Sequence, residues 1–194
     1  MLDFSDTHTA FSALNDFELR RAQFLFKTIG YGPLVKLGQP IVKTALSIGL
    51  PIKSLIKPTI FKHFCGGESI EQCQETAKKL ASFGIATILD YSVEGAQTTQ
   101  SFEQTKEEIL KTIESAESKD FVRFSVFKVS GICSSHALSE LFKLKHGIVK
   151  SANEHHAMQL THGRQRFMEI CKTAYEKDVR LFVDAEESWI QDPI

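Results

Sequence analysis

The sequence predicts an α/β protein built on a parallel sheet, and three observations carry that prediction. Helix-type and strand-type segments alternate from about residue 63 onward. The strand-type runs, Ile85–Leu89, Phe124–Val129 and Arg180–Val183, are almost continuously apolar, as strands covered on both faces are. Each run delivers a polar group at or near its C-terminal end: Asp90, Lys128 and Asp184. In a parallel α/β barrel, that end of the strands is where chemistry is placed.

Taken in order, residues 1–15 read as a polar arm. Asp16 opens a helical pattern in which Phe17, Ala22, Phe24, Leu25 and Phe26 mix with Glu18, Arg20, Arg21 and Lys27. Gly30-Tyr31-Gly32-Pro33 stops it. Leu34–Ile60 reads as two short helices split by Gly49-Leu50-Pro51, so residues 1–62 are expected to form a helical arm. Gly66-Gly67 then breaks the chain. Ser69-Ile70-Glu71-Gln72 has the form of a capping box, in which a hydroxyl and an amide side chain satisfy free N–H groups of a first helical turn. Ile70, Cys73, Ala77 and Leu80 recur at helical steps, and Gly84 suits the position just past a helix end. The first strand follows, running into Asp90-Tyr91-Ser92-Val93-Glu94-Gly95.

A second unit repeats the plan. Ser101-Phe102-Glu103-Gln104 matches a capping box, and Ile109, Leu110, Ile113 and Ala116 give one apolar helix face before the second strand and Ser130-Gly131. The third unit has a helix expected over Ala137–Val149 and a polar insertion over Ser151–Thr161. Its second helix carries the stripe Phe167, Ile170, Cys171, Ala174 and Tyr175, followed by the third strand. Three such units, with crossovers expected to be right-handed, occupy residues 63–194.

Composition narrows the function. The chain has 194 residues and a formal net charge of -1, which gives no electrostatic case for nucleic acid. Its 15 Phe residues argue against global disorder. Cys65, Cys73, Cys133 and Cys171 are widely spaced with no CxxC, which predicts buried, reduced thiols in a cytosolic setting. The N-terminus has no basic segment followed by an apolar run, so no secretory signal peptide is expected. Lys36, Pro40, Lys43, Pro51, Lys53 and Lys57 interrupt the apolar run Leu34–Ile60, and its longest uncharged piece, Thr44–Ile52, is far short of the ~20 residues of a spanning helix. Packing against the rest of the protein is the expectation for this run; a peripheral amphipathic contact with a membrane is the alternative.

The strand ends hold the candidate chemistry. Strand one offers Asp90 and then Glu94; strand three offers Asp184, Glu186 and Glu187. Lys128 is the least expected, because an ammonium among Val126, Phe127 and Val129 is costly unless it is paired or solvated in a cavity. It could bind a carboxylate, form a Schiff base, pair with Asp90 or Asp184, or face outward from an edge strand. His146, His155, His156 and His162 lie close in sequence but lack metal-ligand spacing, so no metal is expected and a solvated helix face is the reading. Cys133 has no nucleophile–base spacing. Gly66-Gly67 is too short for a phosphate loop and reads as a turn.

Four stretches together resemble the proline dehydrogenase family. They are Phe64-Cys65-Gly66-Gly67-Glu68-Ser69, Thr87–Gly95, Val126-Phe127-Lys128-Val129-Ser130-Gly131 and Phe182–Ile194, and they include all three strand ends in order. The resemblance covers the chain from about Phe17 onward. It implies the N-terminal portion of a distorted (βα)8 barrel that holds FAD noncovalently. It further implies oxidation of L-proline to Δ1-pyrroline-5-carboxylate, with hydride passing from the ring carbon beside nitrogen to flavin N5 and a quinone-type acceptor taking the electrons on. Lys128 matches the family lysine that meets the substrate carboxylate. Asp184 matches the active-site aspartate near the substrate amine, Ala185 the point where backbone approaches FAD, and Asp90 a rim aspartate supporting the site.

A whole barrel takes about 250 residues. Only three strand positions are readable here, and the family's arginine pair on its last helix has no counterpart. The resemblance therefore implies a fragment, inactive alone and completed by a C-terminal half. The expected location is cytoplasmic, at most peripheral at the inner face of a membrane. Two other readings stand beside it: a lyase-type barrel using Lys128 as a Schiff base, and a non-enzymatic interaction module.

Overall fold

Side-chain caps from Asp6, Asn15, Ser69, Thr98, Ser134 and Asn153 set six of the helix starts among the described residues. The computed structural model describes residues 3–91, 97–151 and 153–194, which gather into two units divided between Gly84 and Ile85.

The first unit is helical. Helix α1, Thr7–Ala10, is capped by Asp6. Helix α2, Asp16–Ile29, starts from a reciprocal cap: Asn15 Oδ1 accepts from the Glu18 N–H at 2.9 Å, and Glu18 Oε2 accepts from the Asn15 N–H at 3.1 Å. Helix α3, Gly32–Ser47, places Pro33 in its first turn, where a missing N–H costs nothing. Gly49, at φ 75°, makes the expected break. Beyond it the second short helix is composite: α4, Lys53–Ile56, a π-helical turn, Lys57–Phe61, and α5, Lys62–Phe64. Pro58 lies at the start of the π turn, and its carbonyl accepts from Arg21 Nη1 at 3.2 Å, tying the turn to α2. Helix α6, Ile70–Ala81, is capped by Ser69 as expected, although Gln72 Oε1 reaches the Glu68 N–H, one residue before the cap. Gly67 is required there, since a Cβ would come within 2.6 Å of Gln72 Cβ and 2.8 Å of the Cys73 nitrogen. Gly84, at φ 76°, follows as expected.

The second unit is mixed α/β. Strands β1, Thr87–Asp90, β2, Val122–Phe127, and β3, Arg180–Val183, form a parallel sheet in that order. Helix α7, Thr99–Ala116, joins β1 to β2; α8, Ser135–Lys145, and α9, Glu154–Glu176, join β2 to β3; α10, Ser188–Gln191, follows. Helix α7 packs on β1 and β2, α9 on β3 and α7, α8 on α9, and α10 on α8. Ile109, Ile113, Phe127, Ile132, Leu138, Ile170 and Ile190 close the core between them. The described residues are thus mostly helical, with one small three-stranded parallel sheet in the second unit.

Three sequence expectations change. The α7 cap is Thr98, with Ser101 as the third helical residue of the box rather than the cap, because the hydroxyl of Thr98 stands one turn earlier. The stretch from Ser151 to Thr161 is no insertion beyond its first residues: Asn153 caps α9, and the helix runs 23 residues from Glu154. Its opening turns lack an apolar stripe because they are largely exposed, which is why their composition resembles a loop. Cys65 is exposed, whereas Cys133 is the buried thiol; all four cysteines are free.

Candidate functional site

The register of the strands builds the site. Asp90 pairs with Val126, and Val126 with Phe182. Alternation then puts Ile88, Asp90, Phe124, Val126, Arg180 and Phe182 on one face, and Leu89, Ser125, Phe127, Leu181 and Val183 on the other. The second face is covered over β1 and β2, where Leu89 is also buried, and opens only at Val183 on β3. Ser125 and Phe127 are fully buried, and Ser125 Oγ shares a 2.9 Å hydrogen bond with Thr112 Oγ1 of α7. The first face is open: Ile88 and Phe182 are 47% and 45% exposed. On it, Phe124 and Phe182 stack with ring centres 4.3 Å apart, and the Arg180 guanidinium lies 5.7 Å from the Phe124 ring centre.

The polar rim caps this open face. Lys128 directly follows β2 with extended backbone, φ -100° and ψ 136°, so it shares the face of Val126. Strand β2 therefore ends one residue before the lysine, and Val129–Gly131 turns as a 3₁₀ helix rather than extending the strand. Asp184 follows β3, and its N–H donates to Phe127 O at 3.0 Å, carrying the ladder one residue past the strand. Continuing that register sets Lys128 and Asp184 level, with Asp90 two residues below on the same face. Ala185 is exposed in the loop after Asp184. Glu94 lies outside the described residues.

A second layer holds the rim. Glu186 Oε1 accepts from the buried Ser130 N–H at 2.9 Å, and the Glu186 N–H donates to Gln191 Oε1 at 3.0 Å. The loop after β3 is thereby bonded to the turn after β2, the two segments that carry Asp184 and Lys128. Ile190 of α10 is buried in the core, and the Asp192 carboxylate accepts from His146 Nε2 at 2.8 Å. That bond, with nearby Lys145, holds Asp192 below the usual aspartate range. Sequence reasoning noted Glu186 only as an acid beside Glu187. The spacing of Gln191, five residues on and at the last position of α10, is the signal that separates the two.

The other candidates stand apart. Burial pushes the Cys133 thiol up, which disfavours a nucleophilic thiolate. Among the described residues no cluster of His, Cys, Asp or Glu could hold a metal. Sequence reasoning missed Arg166, buried in α9. Its Nε donates to Glu103 at 2.7 Å and its Nη1 to Ile132 O at 3.0 Å, fastening α9 to α7 and to the turn behind the rim. Beside it Lys106 contacts Glu103, Glu107 and Glu169. Burial pulls the Lys106 ammonium down, but these three carboxylates outweigh it and hold the group above the usual lysine range.

Fold and site define a parallel α/β protein with its polar groups gathered at the C-terminal edge of the sheet. The family model described as proline dehydrogenase matches residues 73–194, and the chain belongs to that family. It is 27% identical over 233 aligned positions to proline dehydrogenase 1, mitochondrial, of Arabidopsis thaliana, covering 100% of this chain and 46% of that protein. It is 37% identical over 101 positions to proline dehydrogenase 1, mitochondrial, of Caenorhabditis elegans, covering 51% of this chain and 16% of that protein. The carbapenem antibiotics biosynthesis protein CarD of Pectobacterium carotovorum subsp. carotovorum is 31% identical over 131 positions, with 68% of this chain and 34% of that protein covered. The chain thus spans less than half the length of these relatives.

Proposed function

We propose that this protein is the N-terminal part of a proline dehydrogenase, oxidising L-proline to Δ1-pyrroline-5-carboxylate with FAD and passing the electrons to a quinone-type acceptor. One observation carries the reading: within a chain of this family, one cation and two carboxylates share the open face of the sheet at its C-terminal edge. Lys128 is assigned the substrate carboxylate, which an ammonium at an apolar rim suits by charge. Asp184 is assigned the ring nitrogen of the substrate, where a carboxylate favours the amine and orients the carbon beside it. Asp90 supports the rim from below, and the Ala185 backbone approaches the cofactor.

The residues present fit a flat cofactor. The stacked pair Phe124–Phe182 and Ile88 give an apolar floor, and Ala185 adds no bulk beside it. FAD, when bound, supplies the two-electron acceptor; this chain's part is to bind, orient and exclude water. A floor without walls gives neither enclosure nor dryness. The active form is therefore proposed to be a (βα)8 barrel beginning near residue 63, in which further strands and a complementing C-terminal half cover the open face; alone, these 194 residues are proposed to be inactive. A cytoplasmic location belongs to the same proposal. Family membership favours this reading over a Schiff-base role for Lys128 and over a purely docking module.

Visible absorption tests it. The purified chain is mixed with FAD, alone and with the C-terminal barrel half of the Arabidopsis relative, before and after anaerobic L-proline. The expected result is no retained flavin alone, and flavin that bleaches with proline in the mixture. Lys128→Ala should raise the KM for proline, and Asp184→Ala should lower kcat. A mixture that holds flavin but never bleaches overturns the reading, and so does borohydride trapping of a carbonyl substrate on Lys128.

A further inference from the structure

The turn between α5 and α6 brings together two thiols that the proposed chemistry does not use. Cys65 ends α5 in extended backbone and is exposed. Cys73 stands near the start of α6 and is half-buried. The turn between them folds back on the helix. A Cβ on Gly66, the residue bonded to Cys65, would lie 3.5 Å from Cys73 Sγ and 3.9 Å from Cys73 Cβ. Gly67 comes closer still, since a Cβ there would meet the Cys73 nitrogen at 2.8 Å. Two glycines in succession let the backbone beside Cys65 lie against Cys73. Polar contacts hold it there. Thr76 Oγ1 donates to Gly66 O at 2.7 Å, the Glu68 N–H donates to Gln72 Oε1 at 3.0 Å, and the Glu68 carboxylate is bonded to Lys57. A cavity of about 490 Å³ opens beside the turn, lined by Pro58, Phe61 and Cys65 on one side of it in sequence and by Gln72, Glu75 and Thr76 of α6 on the other.

From this juxtaposition we propose that Cys65 and Cys73 form a reversible oxidation site, closed to an intramolecular disulfide by hydrogen peroxide. Cys65 reacts first, because it is the thiol that solvent and the cavity reach. Its thiolate attacks one peroxide oxygen and the O–O bond breaks, leaving a sulfenic acid and hydroxide. The Cys73 thiolate then attacks the sulfenic sulfur; the S–S bond forms, the S–O bond breaks, and a second hydroxide leaves. Each hydroxide takes up one thiol proton. The two thiols are oxidised by two electrons and the peroxide is reduced to two waters. Burial, helped by the neighbouring Cys65, pushes the Cys73 thiol up, which makes it a poor first target. Its part is to resolve the sulfenic acid, where proximity supplies what thiolate content does not. The bond fastens the end of α5 to α6 beside the cavity. In a reducing compartment it reverts to thiols, so it is a transient state rather than a structural one.

Peptide mass spectrometry of the full chain tests this. The reduced chain is treated with equimolar hydrogen peroxide, alkylated and digested with trypsin. The assay needs neither flavin nor proline, so its failure leaves the enzymatic reading standing. Trypsin cuts after Lys62 and Lys78 and at no residue between them, so one peptide, residues 63–78, carries both thiols. That peptide should escape alkylation and lose two hydrogens in mass, and dithiothreitol should reverse the change. Cys133 and Cys171, whose thiols burial pushes up, should stay free. In Cys73→Ser, Cys65 should stop at the sulfenic acid and be captured by dimedone; in Cys65→Ser, Cys73 should stay a thiol. With dimedone present, the ratio of disulfide to dimedone adduct reads the second step. Gly67→Ala, which lifts the turn off α6, should lower that ratio by roughly tenfold, with helix content by circular dichroism unchanged. Amide exchange over residues 61–76 should slow in the oxidised chain. Cys65 carried to sulfinic acid while Cys73 stays alkylated overturns the proposal, as does a dimer linked through Cys65 on a non-reducing gel. Oxidation of Cys73 in Cys65→Ser as fast as that of Cys65 in the unaltered chain overturns it too.

Discussion

The two units of this chain place their apolar side chains in opposite ways. In residues 85–194, Ile109, Ile113, Phe127, Ile132 and Ile170 are wholly buried against one another, and polar groups such as Ser125 and Arg166 enter the interior only with partners. In residues 1–84, the buried apolar residues among those described are Leu25, Ala45 and Ala77, while Phe17, Phe24, Leu37, Ile41 and Ile48 face outward. Both units have amphipathic helices with sound caps. Local propensity therefore makes the helices in each, but a core forms only where a sheet face gives several helices a common floor.

The sharpest way to break this comparison is to remove core volume from the second unit. Ile113→Ala should destabilise the protein by about 2–5 kcal/mol in urea denaturation, because a fully buried side chain is replaced by a cavity. A loss within the noise of the assay would mean that the sheet unit does not hold the fold. Arg166→Met should cost roughly 2–3 kcal/mol, since it strands Ile132 O and removes one partner of Glu103 inside the α7–α9 contact. Gly163→Ala comes next. A Cβ there would lie 2.5 Å from Cys133 Sγ and 2.8 Å from Cys133 Cβ, so α9 must move off the turn that carries Cys133. The strain of about 1–3 kcal/mol is offset by about 1 kcal/mol from the helix preference of alanine, which leaves a net loss of up to about 2 kcal/mol.

The same contrast explains what could be read in advance. The three strands and their polar ends were legible, because apolar runs ending in Asp90, Lys128 and Asp184 are a local signal. The stripe of Ile109, Ile113 and Ala116 gave the buried side of α7 for the same reason. Arg166 was not legible: its partners Glu103 and Ile132 O are 63 and 34 residues away, and nothing near it in sequence marks it as buried. Glu186 escaped because its function is to bond Ser130, 56 residues earlier. The first half of α9 escaped because an exposed helix has no apolar period to show. Periodicity reports burial against a neighbouring element, so it fails where a helix has none and where a polar group is buried by distant partners.

Acid should sharpen the comparison at a smaller scale. Burial alone would raise the Glu103 carboxyl, but bonds from Arg166 and Lys106 outweigh it and hold the group below its ordinary value of 4.5. A carboxylate lowered on folding contributes stability that is fully present above 4.5 and is lost as pH falls through its folded value. Lys106 is raised, so its contribution is present below the ordinary lysine value of 10.5 and is lost only as pH rises past its folded value. The Tm should therefore fall as the solution is acidified below about pH 4.5, and Glu103→Gln should flatten that part of the curve while leaving neutral pH less affected. An acid limb unchanged by Glu103→Gln would assign it to other carboxylates.

The smallest effect belongs to Leu37→Ala, and its smallness is the point. It is a large-to-small truncation like Ile113→Ala, but Leu37 is 63% exposed where Ile113 is 0% exposed. In a folded protein with α3 facing solvent, the change should fall within about 0.5 kcal/mol, and alanine is itself a good helix former. Measured in lipid-free buffer at two protein concentrations, the loss should be near zero at both. A cost comparable with that of a core residue would show that α3 is covered in solution after all. If that cost grew with protein concentration, the cover would be a second copy of the chain. The two units would then differ only in where their partner elements come from, and the contrast between them would belong to the single chain rather than to the protein in solution.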